Sequence, residues 1–155
     1  MIDELLVYFA FYFLWLVIHE SAHIFSALIL RIKIRGLGVR IKPIPHIYIE
    51  IDSDVPQRKK ILFTISGASV ILLLWILFYL TNNDNQALQV TLTLQLIMDT
   101  NPFYSDVQVL NSMLRNNNNA GKNGNYLFSN IGLIHFSTWA ILIFFMVNHL
   151  KAILI

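Results

Sequence analysis

A pentapeptide with two histidines four residues apart, His19-Glu20-Ser21-Ala22-His23, is the part of the sequence best suited to do chemistry. Four residues advance an α-helix by about 400°, so both imidazoles lie on one face, about one turn apart. That spacing lets two histidine nitrogens bind one zinc ion at about 2.0–2.1 Å. Glu20 then lies beside the ion, where it can act as a general base toward water. The motif therefore predicts a zinc-dependent hydrolytic site.

The elements that must position this motif are apolar helices. The motif lies within an apolar stretch over about residues 5–30, and it supplies the only charged-type residues there. Of the 155 residues, 56% are hydrophobic and 13% are charged, about half the charged share of a soluble domain. Disorder and a soluble globule are both disfavoured. Further apolar stretches follow at about 61–80, 87–104 and 131–150. We expect an α-helical integral membrane protein with about four transmembrane helices, forming a single domain over 1–155.

The basic residues predict how these helices are oriented. Ten of the eleven lysines and arginines lie in two segments between the predicted spans, 31–60 and 107–130, and the other is Lys151. In membrane proteins the cytoplasmic loops carry the excess of positive charge. We therefore expect a multi-pass membrane protein with both segments on the cytoplasmic side of the membrane and both termini on the outer side. The net charge of +2 is too small to indicate a nucleic-acid partner. The predicted environment is the lipid bilayer.

The segment between the first two spans alternates polar and apolar residues. Runs with period two cover 32–35, 39–42 and 47–52, with Gly36 and Gly38 between the first two runs and two prolines before the third. Such alternation, broken by glycine and proline, is typical of short, half-exposed strands. We therefore expect a small cytoplasmic β-sheet over 32–52. A basic loop that binds anionic lipid is the alternative, and the two are compatible.

A tetrahedral catalytic zinc has three protein ligands, so the two histidines need a third partner. The chain has no cysteine, and the remaining candidates are Asp99, Asp106, His135, His149 and, in the strand region, His46. Helical rise places His23 about 12 Å and His19 about 18 Å below the cytoplasmic boundary at Arg31. The third span approaches that boundary between Asp99 and Asp106. A proline at 102 would break the helix and let the chain bend toward a buried site.

Two motifs occur in a defined order along the chain: HESAH in the first predicted span, and NPFYSD, residues 101–106, at the end of the third. Together they resemble the site-2 protease family of intramembrane zinc metalloproteases. That family pairs HExxH on one core helix with an Asn-Pro…Asp-Gly motif two helices later. The resemblance covers about 20–110. It includes a small-residue turn at 66–69 in the middle helix and the strand region at 32–52.

The resemblance implies a role for each matching residue. It implies zinc ligands at His19, His23 and Asp106, and a general base at Glu20. Asn101 is a possible auxiliary residue that orients the substrate backbone, and the strand region holds the substrate in an extended form. The chain departs from the family pattern at Val107, where the family has glycine.

The function implied by the resemblance is hydrolysis of a peptide bond within or near a transmembrane segment of a membrane protein or peptide. The implied location is a bacterial cell membrane, with the active site toward the cytoplasm. A catalytically weak pseudoprotease, acting as a membrane binding or scaffold protein, is the alternative that Val107 favours. Retention of all three HExxH residues favours an enzyme.

Two further alternatives are weaker. A metal transporter needs several polar helices along a path, whereas the polar groups here concentrate at one depth. Gly67-Ala68-Ser69 is similar to the G-x-S element of rhomboid-type serine proteases, with His135 or His149 as base. However, small-residue clusters in apolar helices are more often packing surfaces.

Overall fold

The computed structural model describes residues 2–40, 46–81, 85–102, 105–114 and 130–154. Within these residues the chain forms five helices and one two-stranded antiparallel sheet. In chain order the elements are α1 (Ile2–Ile29), β1 (Ile34–Arg40), β2 (His46–Ile51), α2 (Gln57–Leu80), α3 (Gln86–Asp99), α4 (Asp106–Leu114) and α5 (Asn130–Leu154). The expectation of a mostly helical chain with a small strand insertion after the first helix is confirmed.

Two helices are long and apolar enough to cross a membrane: Leu5–Ile29 within α1, and α2, Gln57–Leu80. The third predicted span, 87–104, is shorter than expected, because α3 has 14 residues. Such a helix rises only about 21 Å, against a hydrocarbon core of about 30 Å. The fourth predicted span, 131–150, lies within α5, whose apolar part is Gly132–Asn148.

The end of α3 follows from the Asn101-Pro102 sequence. Proline has no N–H to donate and disfavours helical backbone at the residue before it, so the helix ends before this pair. Thr100 closes the last turn, and Asn101, Pro102 and Ser105 are buried where the chain leaves the helix. The Ser105 hydroxyl donates to the Asn101 carbonyl just before α4 begins at Asp106. The predicted proline break is thus present, and it lies between Asp99 and Asp106.

Strands β1 and β2 form the predicted sheet. Gly36 and Gly38, expected to separate two strands, instead lie inside β1, because glycine weakens a strand without ending it. A register shift just before Gly36 marks a bulge at Arg35, whose guanidinium donates to Asp52 at 2.8 Å. The backbone N–H of Asp54 and the charge of Arg35 hold the pKa of the Asp52 carboxyl below its ordinary value.

A tight turn joins α1 to the sheet. Arg31 adopts the left-handed conformation at φ 53°, and the Ile32 N–H donates to the Ala27 carbonyl at 2.8 Å. The Arg31 N–H donates to Leu28 at 3.1 Å, which completes the Schellman pattern. Ile32 and Ala27 are buried together with Phe63 of α2. Ile34, Ile49 and Ile51 of the sheet pack against this cluster, so the sheet lies over the end of α1 and the first turns of α2.

Helix α1 packs against α2 and α3, while α4 packs on α2 and α5 on α3. The apolar core of this bundle consists of Trp15, Ile71, Leu92, Leu96 and Met146. The Trp15 indole donates to the Thr91 hydroxyl at 2.9 Å, so α1 and α3 are also joined by a polar contact. One turn further along α1 from Trp15 comes His19.

Candidate metal centre

Three donor atoms converge between α1, α2 and the beginning of α4. The Nε2 atoms of His19 and His23 lie 3.1 Å apart. Asp106 Oδ2 lies 3.2 Å from His19 Nε2 and 3.0 Å from His23 Nε2, so the three atoms form a nearly equilateral triangle. Both histidines are buried, and the Asp106 side chain is 25% exposed. These three residues could hold a metal ion.

The other nitrogen of each imidazole indicates where the hydrogen lies. His23 Nδ1 is 2.8 Å from the Phe63 carbonyl oxygen, which can only accept, so Nδ1 carries the hydrogen. His19 Nδ1 is 3.0 Å from Asp99 Oδ2, which also accepts. In the neutral imidazoles both Nε2 atoms therefore present lone pairs to one another and to the Asp106 carboxylate. These acceptor atoms repel one another unless a metal ion or a proton lies between them.

The spacing and kind of donors fit zinc. A tetrahedral site with bonds of 2.0–2.1 Å separates neighbouring ligand atoms by about 3.3–3.4 Å. The observed separations are 3.0–3.2 Å. Histidine nitrogen and aspartate oxygen are both zinc ligands, and catalytic sites use three protein ligands with a fourth position open. The number, type and spacing of the three donor atoms are therefore compatible with a zinc site that has three protein ligands.

The close approach of α2 depends on Gly67. A Cβ atom at this position would lie 2.6 Å from His19 Cε1 and Nε2 and 2.6 Å from His23 Nε2. Its neighbour Ser66 donates to the Phe63 carbonyl at 2.7 Å and lies 3.1 Å from His23 Nδ1. Ser66 and Gly67 of the predicted small-residue segment 66–69 thus line the site, and the segment is part of the continuous helix α2.

Helix α4 is held in place by α2. Gln57 Nε2 donates to the Met113 carbonyl at 2.9 Å, and the Thr64 hydroxyl lies 3.9 Å from the Met113 sulfur. These contacts hold the far end of α4 against α2, and the hydrogen bond from Ser105 to the Asn101 carbonyl holds its beginning. Asp106 is the first residue of α4, so both constraints determine where its carboxylate points.

Asp99, the other carboxylate considered as a ligand, lies behind His19 instead. Its Oδ2 accepts from His19 Nδ1 at 3.0 Å, and its Oδ1 accepts from Gln95 Nε2 at 2.8 Å. All three residues are buried. Asp99 therefore faces the wrong nitrogen to share an ion with His19 Nε2. Gln95 was missed in the sequence, although an amide one helical turn before an aspartate in an apolar stretch is a signal that could have found it.

The remaining candidates lie elsewhere. His135 of α5 donates from Nε2 to the Thr100 carbonyl at 3.0 Å, so it contacts the end of α3 and is not among the convergent donors. Asn101 is buried in the turn before α4 and donates to the Met98 carbonyl. His46 begins β2 and His149 belongs to α5, but their side chains fall outside the described residues.

Among the described residues, the serine–histidine alternative is not assembled with His135, and the side chain of its other candidate base, His149, lies outside them. Ser69 is exposed on α2, and within the described residues its hydroxyl makes no hydrogen bond to His135. The serine that does approach the site is Ser66, whose hydroxyl is engaged by the Phe63 carbonyl.

Glu20 follows His19 directly on α1, and its side chain is half-buried. In the part of the chain that the structure describes, its carboxylate forms no hydrogen bond or ion pair. A carboxylate without such partners can accept and release a proton, which is what a general base requires.

Comparisons with models of known families, with characterised proteins and with solved structures find no match for this chain.

Proposed function

We propose that this chain is an intramembrane zinc metalloprotease of the site-2 protease type. Its substrate would be a peptide bond within or near a transmembrane segment of a membrane protein or peptide. The observation that carries the proposal is the convergence of both HExxH histidines on Asp106, the aspartate of the NPFYSD motif.

The distribution of polar and apolar residues supports a membrane location. Among the described residues, nine polar or charged side chains are buried, as many as the buried apolar ones when Pro102 is included. Large apolar side chains face outward, such as Phe9 at 63%, Phe13 at 64% and Leu73 at 65% exposure. Only 11% and 22% of the apolar windows of α1 and α2 are buried within the chain. Soluble proteins rarely expose apolar surface on this scale, whereas a bilayer would cover it.

The polar residues inside the bundle carry the same implication. An ionisable group within a membrane helix is costly and usually faces the bundle interior, where it serves a function. His19, His23 and Asp99 are buried at 8%, 5% and 6% exposure, and each has a partner on another helix. We therefore place the proposed active site inside the bundle, below the cytoplasmic end of α1.

The residues divide the work of peptide hydrolysis among them. His19, His23 and Asp106 would hold the zinc ion through Nε2, Nε2 and Oδ2. When bound, zinc supplies a Lewis acid that lowers the pKa of water toward about 7 and polarises the scissile carbonyl. Glu20 accepts the proton of the attacking water and passes it to the leaving amine. The Phe63 carbonyl accepts from His23 Nδ1 and so keeps that imidazole in the orientation that presents Nε2.

The sheet offers a place for an unwound substrate. A peptide freed from its helix needs partners for its backbone groups, since lipid provides none. Because β1 and β2 pair only with each other among the described residues, each keeps one edge to which an extended peptide could add. We include strand addition at this sheet in the proposal.

Metal content tests the proposal most directly. We would purify the chain in detergent without chelators and measure metals by mass spectrometry, for wild type, His23→Ala, Asp106→Ala and Glu20→Gln. The expected result is about one zinc per chain in wild type and in Glu20→Gln, and loss of zinc in the two ligand variants. No zinc in wild type would overturn the proposal. Iron in place of zinc would also contradict it, since two histidines and one carboxylate serve iron(II) oxygenases as well.

Cleavage is tested with the same Glu20→Gln variant. Wild type and Glu20→Gln would be expressed in bacterial membranes, and new peptide termini within or beside transmembrane segments would be identified by mass spectrometry. Termini that appear only with wild type support the protease. Zinc bound at full stoichiometry with identical termini in both strains would instead favour the pseudoprotease.

A further inference from the structure

We propose that Asp99 is a positioning residue of the metal centre, and that Gln95 in turn holds Asp99. The inference rests on the proposed function, because it concerns the same His19 imidazole. Among the described residues, Asp99 and Gln95 make no hydrogen bond to the convergent donor atoms. They act through the face of His19 that points away from the site.

The contacts form a continuous chain from α3 to the site. Gln95 and Asp99 are four residues apart, so they lie on one face of α3. Gln95 Nε2 donates to Asp99 Oδ1 at 2.8 Å, and His19 Nδ1 donates to Asp99 Oδ2 at 3.0 Å. Each carboxylate oxygen thus receives one hydrogen bond. Exposure is 5% for Gln95 and 6% for Asp99, so water does not supply alternative partners.

The two imidazoles of the site are held unequally. The Nδ1–H of His23 meets a neutral backbone carbonyl, with the neutral Ser66 hydroxyl 3.1 Å away, whereas the Nδ1–H of His19 meets a carboxylate. A carboxylate partner fixes the tautomer and ring orientation and makes the opposite nitrogen a stronger donor. His19 is therefore the imidazole whose affinity for the ion depends most on a second side chain. The HExxH pattern treats the two histidines alike and gives no sign of this difference.

The orientation of Gln95 indicates how strongly Asp99 determines its surroundings. Gln95 Oε1 is buried, and among the described residues it has no hydrogen-bond partner. Turning the amide over would bring this oxygen against the Asp99 carboxylate, where two acceptors repel. The amide thus forgoes one hydrogen bond and keeps its donor on Asp99. A buried carboxylate requires such donors, because leaving it unpaired is costly.

The experiment compares three variants of α3 with wild type. Asp99→Asn keeps the shape but can accept from only one of its two donors, because its other end is an NH2 group. Gln95→Met removes the donor to Asp99 at nearly constant volume. Thr93→Val is the matched control, because Thr93 is also buried on α3 and accepts a hydrogen bond from Trp75 that the valine would lose. Among the described residues, the Thr93 side chain makes no hydrogen bond to Gln95, Asp99 or His19.

Two readouts separate positioning from general damage. The dissociation constant for zinc would be measured by competition with a chelator. The visible absorption of the Co²⁺-loaded chain would report the ligand geometry. We expect Asp99→Asn to weaken zinc binding by about 10–100-fold and to shift the Co²⁺ bands. We expect Gln95→Met to move both readouts in the same direction by less, and Thr93→Val to match wild type.

The outcomes distinguish this inference from the proposed function. If wild type binds neither zinc nor Co²⁺, the proposed function fails and the inference fails with it. If wild type binds both and His23→Ala binds neither, the metal centre stands. In that case, wild-type affinity and spectrum in Asp99→Asn would overturn the positioning role alone. Should Asp99→Asn fail to fold, the same readouts on Gln95→Met decide the matter.

Discussion

The carboxylates near His19 differ in which imidazole nitrogen they face, and this difference decides their roles. Asp106 lies against Nε2 of both histidines, while Asp99 lies against Nδ1 of His19. Both aspartates flank the same proline break, so their distance along the chain does not distinguish them. Asp106 thus faces the side of the imidazoles where the donor atoms converge, and Asp99 faces the opposite side of His19.

Replacing Gly67 tests the geometry of this site at a residue that binds nothing. In a helix interior, alanine is more favourable than glycine by about 1 kcal/mol, so helix propensity alone predicts that Gly67→Ala stabilises α2. The new Cβ would lie 2.6 Å from both histidine Nε2 atoms, however, so the imidazoles must move. We expect at least a tenfold loss of zinc affinity with helix content retained, measured by chelator competition and circular dichroism.

The matched control for this prediction is Gly36→Ala, because a Cβ at Gly36 meets nothing within 4 Å. It should bind zinc as wild type does. Unchanged zinc affinity in Gly67→Ala would contradict the close packing of α2 against the two histidines.

At the scale of elements, patterns in the sequence predicted those features that depend on a single segment of the chain. The HExxH spacing placed two imidazoles on one face of α1, and alternation predicted the sheet. The contacts between segments could not be predicted in this way. The partner of each Nδ1, the approach of α2 at Gly67 and the amide of Gln95 depend on how three helices pack, which no single stretch of sequence encodes. The third span was predicted too long because its apolar composition continues past the proline that ends α3.

His135 was considered from the sequence as a third zinc ligand or a base, but in the structure it makes a contact between two helices. Its Nε2 donates to the Thr100 carbonyl, so it joins α5 to the end of α3. In His135→Phe we expect zinc stoichiometry to stay at the wild-type value. Stability should fall by about 1 kcal/mol, seen as a lower thermal midpoint, because a partly buried hydrogen bond is lost. Thr138→Val on the same helix, which loses only a bond to Ile134 of its own helix, serves as control. Loss of zinc in His135→Phe would make His135 a ligand after all.

The sheet gives a second prediction at this scale. Proline has no N–H, so Ile47→Pro and Ile49→Pro remove backbone donors from β2, whereas Ile47→Ala and Ile49→Ala keep them. If an extended substrate adds to this sheet, both proline variants should lower the yield of the wild-type cleavage termini about tenfold or more. The alanine variants should not, and all four should keep their zinc. Equal cleavage in proline and alanine variants would count against strand addition.

At the scale of the whole molecule, charge and polarity are sorted along the helix axes. Apart from Lys151 of α5, the described basic residues lie between the end of α1 and the first turn of α2, in and around the sheet. Two of them tie these elements together. Lys59 Nζ donates to the Leu30 carbonyl and Lys60 Nζ to the Ser53 carbonyl, each at 2.7 Å. The apolar lengths of both helices extend away from this end. A basic belt beside long apolar helices is the arrangement expected of a cytoplasmic membrane interface.

This sorting predicts the orientation of the chain in a cell membrane, and the absence of native cysteine makes the prediction direct to test. Ser53 lies between the sheet and α2, and Thr81 lies at the opposite end of α2; both are exposed. In right-side-out bacterial membrane vesicles, a membrane-impermeant maleimide should label Thr81→Cys at once. It should label Ser53→Cys only after the vesicles are permeabilised, and it should not label wild type. The reverse pattern would place the sheet outside the cell. Labelling of both variants in intact vesicles would mean that α2 does not cross the bilayer. The proposed protease would then not be an intramembrane one, and the zinc content would still decide whether the metal centre exists.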